Sequence, residues 1–201
     1  MEIETRFFYD LSEYDSLNSK LKSNDGLQFE GCFFEKTLQY DNPNPSLTFY
    51  SKEIDGRFRL RTSTNIETNE SKTKLSWKRR SKDNFVGGIH REEEVELEFK
   101  SKEEADNALF LIEQVLKMPK VESYERYRNV YIADGVEIVV DKFPFAVALE
   151  IECKDSSEEK INEWCDKLNL DINKSYSLSW DDKYKELCEA KNEVPQKFVE
   201  F

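Results

Sequence analysis

The sequence predicts an α+β fold: a closed eight-stranded antiparallel β-barrel with a charged lumen, flanked by about four helices. Three observations support this class. Eight segments alternate polar and apolar residues, which is the period of a strand. Four others carry apolar residues at spacings of three and four, as amphipathic helices do. The charged strand faces are segregated by sign, because some are rich in Arg and Lys and others in Glu.

Composition bounds the size of the protein and the class of its partners. A chain of 201 residues fits a single domain, spanning 1–201, that is large enough to bury a core. Its net charge of −12 argues against a general nucleic-acid or anionic-membrane surface. Since there is no membrane-spanning apolar run and no secretion signal before the first strand, we expect a cytoplasmic protein. We expect a monomer or homodimer with no nucleic-acid or membrane partner.

The first predicted strand, residues 2–8, places Glu2, Glu4 and Arg6 on one face. Carboxylates stacked on one face repel each other unless a cation lies between them. Hard oxygen ligands of this kind suit Mg²⁺ or Mn²⁺. The alternative explanation of this pattern is a solvated edge strand.

Helix and strand signals then alternate along the chain. Residues 11–24 have helical apolar spacing, and residues 33–40 form a predicted strand. Two strands with basic faces follow, at 57–61 and 72–80. Their charged faces consist of Arg57, Arg59 and Arg61 on the first, then Lys72, Lys74, Lys78 and Arg80 on the second. We expect the outer four of these to be solvated strand ends: Arg57, Lys72, Lys74 and Arg80.

The next strand reverses the sign of the charged face. Residues 90–98 carry glutamates on one face, including Glu94, and Val95 and Leu97 on the other. After a predicted turn at 84–88 and this strand, Ser101 and Glu104 resemble a capping box. They precede a helical apolar stripe that ends before Pro119 and consists of Ala105, Ala108, Leu109, Ile112, Val115 and Leu116.

The C-terminal third contains three predicted strands and two helices. Tyr124, Arg126 and Arg128 share a strand face, and Asp134-Gly135 signals a hairpin that returns over 136–141. The strand at 147–152 repeats the acidic pair of the first strand, here as Glu150 and Glu152. Residues 155–170 and 180–191 are predicted helices.

Two arrangements of these strands remain open. An ordinary antiparallel sheet packs its apolar face on a core and leaves the charged face in water. Segregation by sign argues against it, because like neighbours repel and surface sheets usually interleave signs. A closed barrel with its charged faces inward would instead have one wall for metal and one for phosphate. The apolar residues expected outside such a barrel, beneath helices, are Ile3, Leu60, Leu75, Val95, Leu149 and Ile151.

These residues resemble the motifs of the CYTH superfamily, the triphosphate tunnel metalloenzymes, which include class IV adenylyl cyclases and thiamine triphosphatases. The family signature E-x-E-x-K is similar to Glu2, Glu4 and Arg6, with arginine in place of lysine. Further motifs resemble, in chain order, Arg59 and Arg61, then Lys78, then Glu92 and Glu94, then Arg126 and Arg128, and finally Asp141 with Glu150 and Glu152.

The resemblance implies metal-dependent hydrolysis of a small-molecule triphosphate, either inorganic tripolyphosphate or an organic triphosphate, with Mg²⁺ or Mn²⁺ as cofactor. It implies phosphate binding by Arg59, Arg61, Lys78, Arg126 and Arg128. It implies metal binding by Glu2, Glu4, Asp141, Glu150 and Glu152. The catalytic roles that it implies fall to Glu4, Arg6, Lys78 and Glu94.

Two other functions stay open: a class IV-type cyclase that converts ATP to cyclic AMP and pyrophosphate, and a non-catalytic polyphosphate- or nucleotide-binding module. Cyclisation requires a base and a nucleoside pocket. Arg6 is a poor base, because a guanidinium keeps its proton, and the sequence shows no adenine-selective group of residues. We therefore expect hydrolysis, with tripolyphosphate turned over faster than ATP.

Overall fold

Eight long strands form a closed barrel in the computed structural model, which describes residues 2–201 and, within them, the side chains of 2–80 and 85–201. The neighbour order is β2-β3-β4-β5-β1-β8-β7-β6, and antiparallel pairing of β2 with β6 closes the ring. The strands are β1 Glu2–Tyr9, β2 Gln28–Tyr40, β3 Gly56–Asn65, β4 Ser71–Val86, β5 Ile89–Glu98, β6 Lys120–Ala133, β7 Val136–Lys142 and β8 Val147–Cys153. The predicted closed barrel is confirmed.

Among the described residues, four α-helices and one short strand surround the barrel. The helices are α1 Tyr14–Lys22, α2 Lys102–Phe110, α3 Glu158–Lys167 and α4 Trp180–Lys191, and the strand is β9 Phe198–Val199, parallel to β6. Short 3₁₀ turns lie at Leu11–Glu13, Pro45–Leu47 and Ile172–Lys174, and α2 continues as a π-turn over Leu111–Val115. No helix in the described part of the chain is long and apolar enough to span a bilayer.

Some helices and strands begin or end at residues other than those predicted, because helix caps and turns set their limits. Helix α3 begins at Glu158 rather than near 155, because Ser157 is its N-cap and accepts a hydrogen bond from the Lys160 amide. Strand β2 begins five residues earlier than predicted, at Gln28. The predicted turn at 84–88 is shorter, because β4 extends to Val86 and pairs there with Ile89.

The main hydrophobic core lies outside the barrel, as predicted, between the outer faces of β1, β7 and β8 and the helices α1 and α3. Ile3, Leu149 and Ile151 are buried there against Trp164 and Leu21. A second cluster buries Leu60 with Tyr40 and Ile112, and half-buried Leu75 packs against it.

The prediction for Val95 is wrong, because its side chain is 65% exposed. Helical cover of the outer face of β5 lies at its start, where Ile89 is buried and Arg91 pairs with Glu158 of α3, and Leu97 beside Val95 is exposed as well. The predicted stripe on α2 is also only partly buried. Ala105 and Ile112 are buried, but Val115 is exposed, because the π-turn changes the angular spacing of the last residues.

The contrast between Ile151 and Val95 gives a test of which outer faces are covered. We expect Ile151→Ala to lower the free energy of unfolding by about 2–5 kcal/mol, because it leaves a cavity in the core. Val95→Ala should change it by about 0.5 kcal/mol or less, because that side chain already meets solvent. Urea denaturation followed by circular dichroism measures both, and similar losses from the two substitutions would contradict this description.

Candidate active site

The lumen is a cavity of about 830 Å³ lined mostly by charged side chains. Strand alternation carries every second residue inward, so that residues far apart in sequence face each other. The register then sets opposite charges directly across neighbouring strands: Arg6 opposite Glu150, Lys78 opposite Glu94, Glu35 opposite Arg126 and Arg128 opposite Asp141. All the predicted site residues line this cavity except Asp141.

Arg126 and Arg128 on β6 are held by carboxylates from both neighbouring strands. Arg126 donates to Glu35 at 2.8 Å and to Asp141 at 2.7 Å, and Arg128 donates twice to Asp141, at 2.7 and 2.6 Å. Although burial raises the pKa of the Glu35 carboxyl, Arg126, Arg61 and Arg128 hold it below its usual range. Asp141 is completely buried behind both arginines, where it orients them.

Arg59 and Arg61 on β3 complete the basic wall of the lumen. Arg59 donates to the Glu94 carboxylate at 2.8 Å and to the Ser76 hydroxyl at 3.2 Å. Arg61 donates to the Thr37 hydroxyl at 3.1 Å. We call the four arginines that converge here the arginine wall: Arg59, Arg61, Arg126 and Arg128.

Arg6 and Lys78 lie among the carboxylates of β1, β5 and β8. Arg6 donates to Glu4 at 2.6 Å, to Glu150, and to the Leu178 carbonyl at 3.0 Å. The Lys78 ammonium lies 3.0 Å from Glu4. Burial raises the pKa of the Glu4 carboxyl, but Lys78 and Arg6 together hold it below its usual range. Glu4 is therefore an anion whose charge is already balanced by protein cations.

Glu2, Glu94 and Glu152 form a second acidic group, in which the carboxyl of Glu2 shares hydrogen bonds with the other two. Burial, and then Glu152 and Glu94, raise the pKa of Glu2 well above its usual range. Lys78 approaches Glu2 and Glu94 only at 3.7 and 3.6 Å. A proton on Glu2 therefore neutralises charge that a bound cation could neutralise instead.

This acidic group fits a divalent ion in its chemistry, because it offers hard carboxylate oxygens and places the Glu2 carboxyl beside two others. Across the described residues, no three His, Cys, Asp or Glu side chains already converge on one point suited to a metal. Of the predicted metal ligands, the structure brings Glu2 and Glu152 together with Glu94. It sets Glu4 and Glu150 on Arg6, and Asp141 behind the arginine wall.

Tyr124 is a lumen residue that the sequence analysis did not assign to the site, although it shares a strand face with Arg126. Its side chain is almost fully buried, its ring packs 4.3 Å from that of Trp180, and its hydroxyl accepts a hydrogen bond from Arg61 at 3.0 Å. Although burial raises the pKa of the Tyr124 hydroxyl, Arg61, Arg126 and Arg59 lower it to about 7.

One end of the lumen is covered by the segment from Tyr176 to Asp181, and we call it the closed end. The Tyr176 amide donates to the Arg6 carbonyl at 2.7 Å, and a His90 ring nitrogen lies 2.9 Å from the Tyr176 carbonyl. Ser179, Trp180 and Asp181 line the cavity there. At the opposite end, the open end, lining side chains reach solvent, among them Lys72 at 73% exposed.

The expectation that Arg57 and Arg80 are solvated strand ends is wrong. Both line the cavity near its closed end, with side chains 20% and 16% exposed. Arg57 lies over the ring of Tyr50, whose loop between β2 and β3 covers it, and both arginines pair with Asp55. Sequence periodicity missed this because it does not reveal which loop folds back over a strand end.

Comparisons with known proteins agree with this architecture. The family model described as the CYTH domain matches residues 1–183, and no curated protein matches the chain significantly. A Pyrococcus horikoshii protein is similar at 20% identity and a TM-score of 0.68, over 95% of this chain and 99% of that one. A candidate adenylyl cyclase from Hippeastrum, described as having a dominant triphosphatase activity, is similar at 18% identity and a TM-score of 0.63, over 96% and 97%. A candidate adenylate cyclase from Vibrio parahaemolyticus is similar at 15% identity and a TM-score of 0.61, over 94% and 97%.

The environment of Tyr124 predicts a tyrosine that ionises near neutral pH. We expect ultraviolet difference absorbance to show one phenol titrating at about pH 7 in the wild type and not in Tyr124→Phe. An unfolded tyrosine keeps its proton to about pH 10, so this group should add stability as the pH rises from 7 to 10 and lose it as the pH falls through 7. Tyr184→Phe, outside the lumen, is the matched control. A neutral-pH transition that survives in Tyr124→Phe would refute the assignment.

Proposed function

Because the chain belongs to the CYTH domain family, we propose that it is a metal-dependent hydrolase that cleaves a triphosphate held inside the barrel. The observation that carries this proposal is that the arginine wall and the Glu2, Glu94 and Glu152 group line one lumen, where they meet at Arg59 and Glu94. A linear phosphate chain needs several guanidinium groups along its length and a metal at the bond that breaks.

The arginine wall is held in position before substrate arrives. Asp141 fixes Arg126 and Arg128 from behind, and Glu35 holds Arg126 from the neighbouring strand, so these guanidinium groups need little reorganisation to meet phosphate oxygens. Arg59 is bound by Glu94 on the lumen side. An incoming phosphate would compete with Glu94 for Arg59, which would free that carboxylate to bind metal or orient water.

CYTH proteins generally depend on a divalent metal. In this chain Glu2, Glu94 and Glu152 would hold it, and Mg²⁺ or Mn²⁺ would neutralise phosphate oxygens and lower the pKa of a bound water. Glu4 and Glu150 then keep Arg6 and Lys78 oriented beside the acidic group, rather than binding the ion themselves.

Hydrolysis is favoured over cyclisation by the groups beside the phosphate site. Cyclisation needs a base for a ribose hydroxyl, and the family's lysine position holds Arg6, which makes hydrogen bonds to two carboxylates and a carbonyl. The likeness to the Hippeastrum protein, described as a dominant triphosphatase, supports the same choice. Hydrolysis needs only a positioned water and charge neutralisation.

Phosphate release tests the reaction directly. We expect tripolyphosphate, thiamine triphosphate, ATP or GTP to release orthophosphate in Mg²⁺ or Mn²⁺ and not in excess chelator, as measured by a malachite-green assay. Chromatography of the ATP products identifies the alternative. Cyclic AMP with pyrophosphate as the main products would make the protein a cyclase, and binding without any product would make it a binding module.

A pair of arginines on neighbouring strands tests the arginine wall. Arg59→Gln should lower kcat/KM by about 10²–10³-fold, because it removes a donor aimed at developing phosphate charge. Arg79→Gln is the matched control, since Arg79 is half exposed on the outer face of β4 and pairs with Glu93. Equal effects of the two substitutions, with both proteins folded, would contradict a phosphate site in the lumen.

A further inference from the structure

The Tyr124 hydroxyl differs from those of the other buried tyrosines in the hydrogen bonds that it makes. Tyr40 and Tyr131 are buried in the clusters outside the lumen, and each donates its proton to a side-chain oxygen, at 2.7 and 2.9 Å. The Tyr124 hydroxyl instead accepts a hydrogen bond from Arg61 at 3.0 Å. Among the described residues, no carboxylate or carbonyl oxygen accepts a hydrogen bond from it. Its oxygen is thus placed to act as an anion, or to donate to an acceptor that a ligand brings.

Arg61 is the member of the arginine wall that lacks a close carboxylate within the described part of the chain. Each of the other three has a carboxylate oxygen within 2.8 Å. The carboxylate that pairs with Arg61 belongs to Glu35 and lies at 3.7 Å, farther away than the Tyr124 oxygen. At Arg61, therefore, Tyr124 has the position that a carboxylate has at the other arginines.

Strand register and ring packing fix the Tyr124 hydroxyl at this position. Thr37 lies opposite Arg61 on one side and opposite Tyr124 on the other, so the three side chains form one row across β3, β2 and β6. The Thr37 hydroxyl accepts from Arg61 at 3.1 Å and also hydrogen-bonds to the Tyr124 hydroxyl. The rings of Trp180 and Phe143 pack on that of Tyr124, at 4.3 and 6.0 Å. The hydroxyl is therefore held on the lumen wall beside the arginines.

The charges around Tyr124 favour the phenolate while the lumen holds no other anion. Although burial raises the pKa of the Tyr124 hydroxyl, three arginines lower it to about 7. A phosphate bound to the same arginines would add negative charge beside the phenol and raise that pKa again. The charged groups packed around Tyr124 are Arg59 and Arg61 on β3, Arg126 and Glu122 on β6, Glu35 on β2 and Asp181 in the first turn of α4, and β9 adds the apolar Val199.

We propose that Tyr124 is a phosphate ligand that exchanges places with the substrate on Arg61. In the free protein its phenolate oxygen accepts the hydrogen bond from Arg61. When a phosphate oxygen takes that donor, the phenolate takes up one proton from solvent, and the new O–H donates to the phosphate. The inference rests on the proposed function for its ligand, a triphosphate held in the lumen. It makes triphosphate binding a proton-coupled exchange of one anion for another.

Ultraviolet absorbance follows this exchange in the wild type without any substitution. At about pH 8.5 and in excess chelator, saturating tripolyphosphate should remove the phenolate absorbance of one tyrosine, because the bound form of Tyr124 is neutral. Tyr124→Phe should show no such loss. Tyr184→Phe is the matched control and should behave like the wild type, since Tyr184 packs on Phe145 outside the lumen.

The pH dependence of affinity gives an independent measurement. Isothermal titration with tripolyphosphate in excess chelator should show the wild type losing affinity relative to Tyr124→Phe by about 10-fold per pH unit between about pH 7.5 and 9.5, because one proton must be taken up. Glu2 and Glu122, whose pKa values are also raised, are present in both proteins, as are the protons of the ligand. The ratio of the two dissociation constants therefore isolates Tyr124.

The outcomes separate this inference from the proposed function. Phenolate absorbance that is unchanged when the wild type is saturated, or the same pH dependence in wild type and Tyr124→Phe, overturns the exchange even if hydrolysis occurs. Absence of tripolyphosphate binding also overturns the exchange, whatever the phosphate-release assay gives with organic triphosphates. Proton-coupled binding that depends on Tyr124, without any phosphate release in Mg²⁺ or Mn²⁺, supports the exchange and overturns the hydrolase.

Discussion

Pairing of buried charge is the constraint on which this structure depends. A charged side chain removed from water is costly unless an opposite charge and hydrogen bonds replace the lost hydration. The barrel meets this requirement through register, since Arg126 and Arg128 each face a carboxylate directly across a neighbouring strand. A shift of one residue between β6 and β7 would separate Arg128 from Asp141, so the same pairs also define the register.

The charge pairs also explain how an interior with so many ionised groups can accept a polyanion. Several lumen cations are bound by carboxylates that point into the cavity, such as Glu94 on Arg59. A phosphate chain would exchange one anion for another at these cations rather than create new buried charge. Asp141 lies behind its arginines, so it would keep its role whether or not the lumen holds a ligand.

Much of the fold could be predicted from sequence, because each strand shows its two faces as a pattern of alternating residues. Sign segregation indicated that the charged faces meet, and the buried positions of Ile3 and Ile151 followed from the same parity.

Val95 shows the limit of sequence-based prediction, since parity assigns a side chain to the outer face but does not reveal whether a helix covers it. Phe33 shows another limit. Parity places this isolated apolar residue on the charged inner face of β2, but only the structure shows that Val130 of β6 also lines the lumen. Tyr124 required its three arginine neighbours, which come from two different strands.

The position of β1 has a consequence for the order in which the chain can assemble. This first strand lies between β5 and β8, so its hydrogen-bonding edges have no neighbour until residues 89–98 and 147–153 have been synthesised. Arg6 also contacts Leu178, 172 positions later. Such long-range pairings make folding slow and leave strand edges exposed in partly made chains. The N-terminal strand is therefore secured on both sides only when β8, the last barrel strand to be synthesised, pairs with it, so its edges need protection through most of the synthesis.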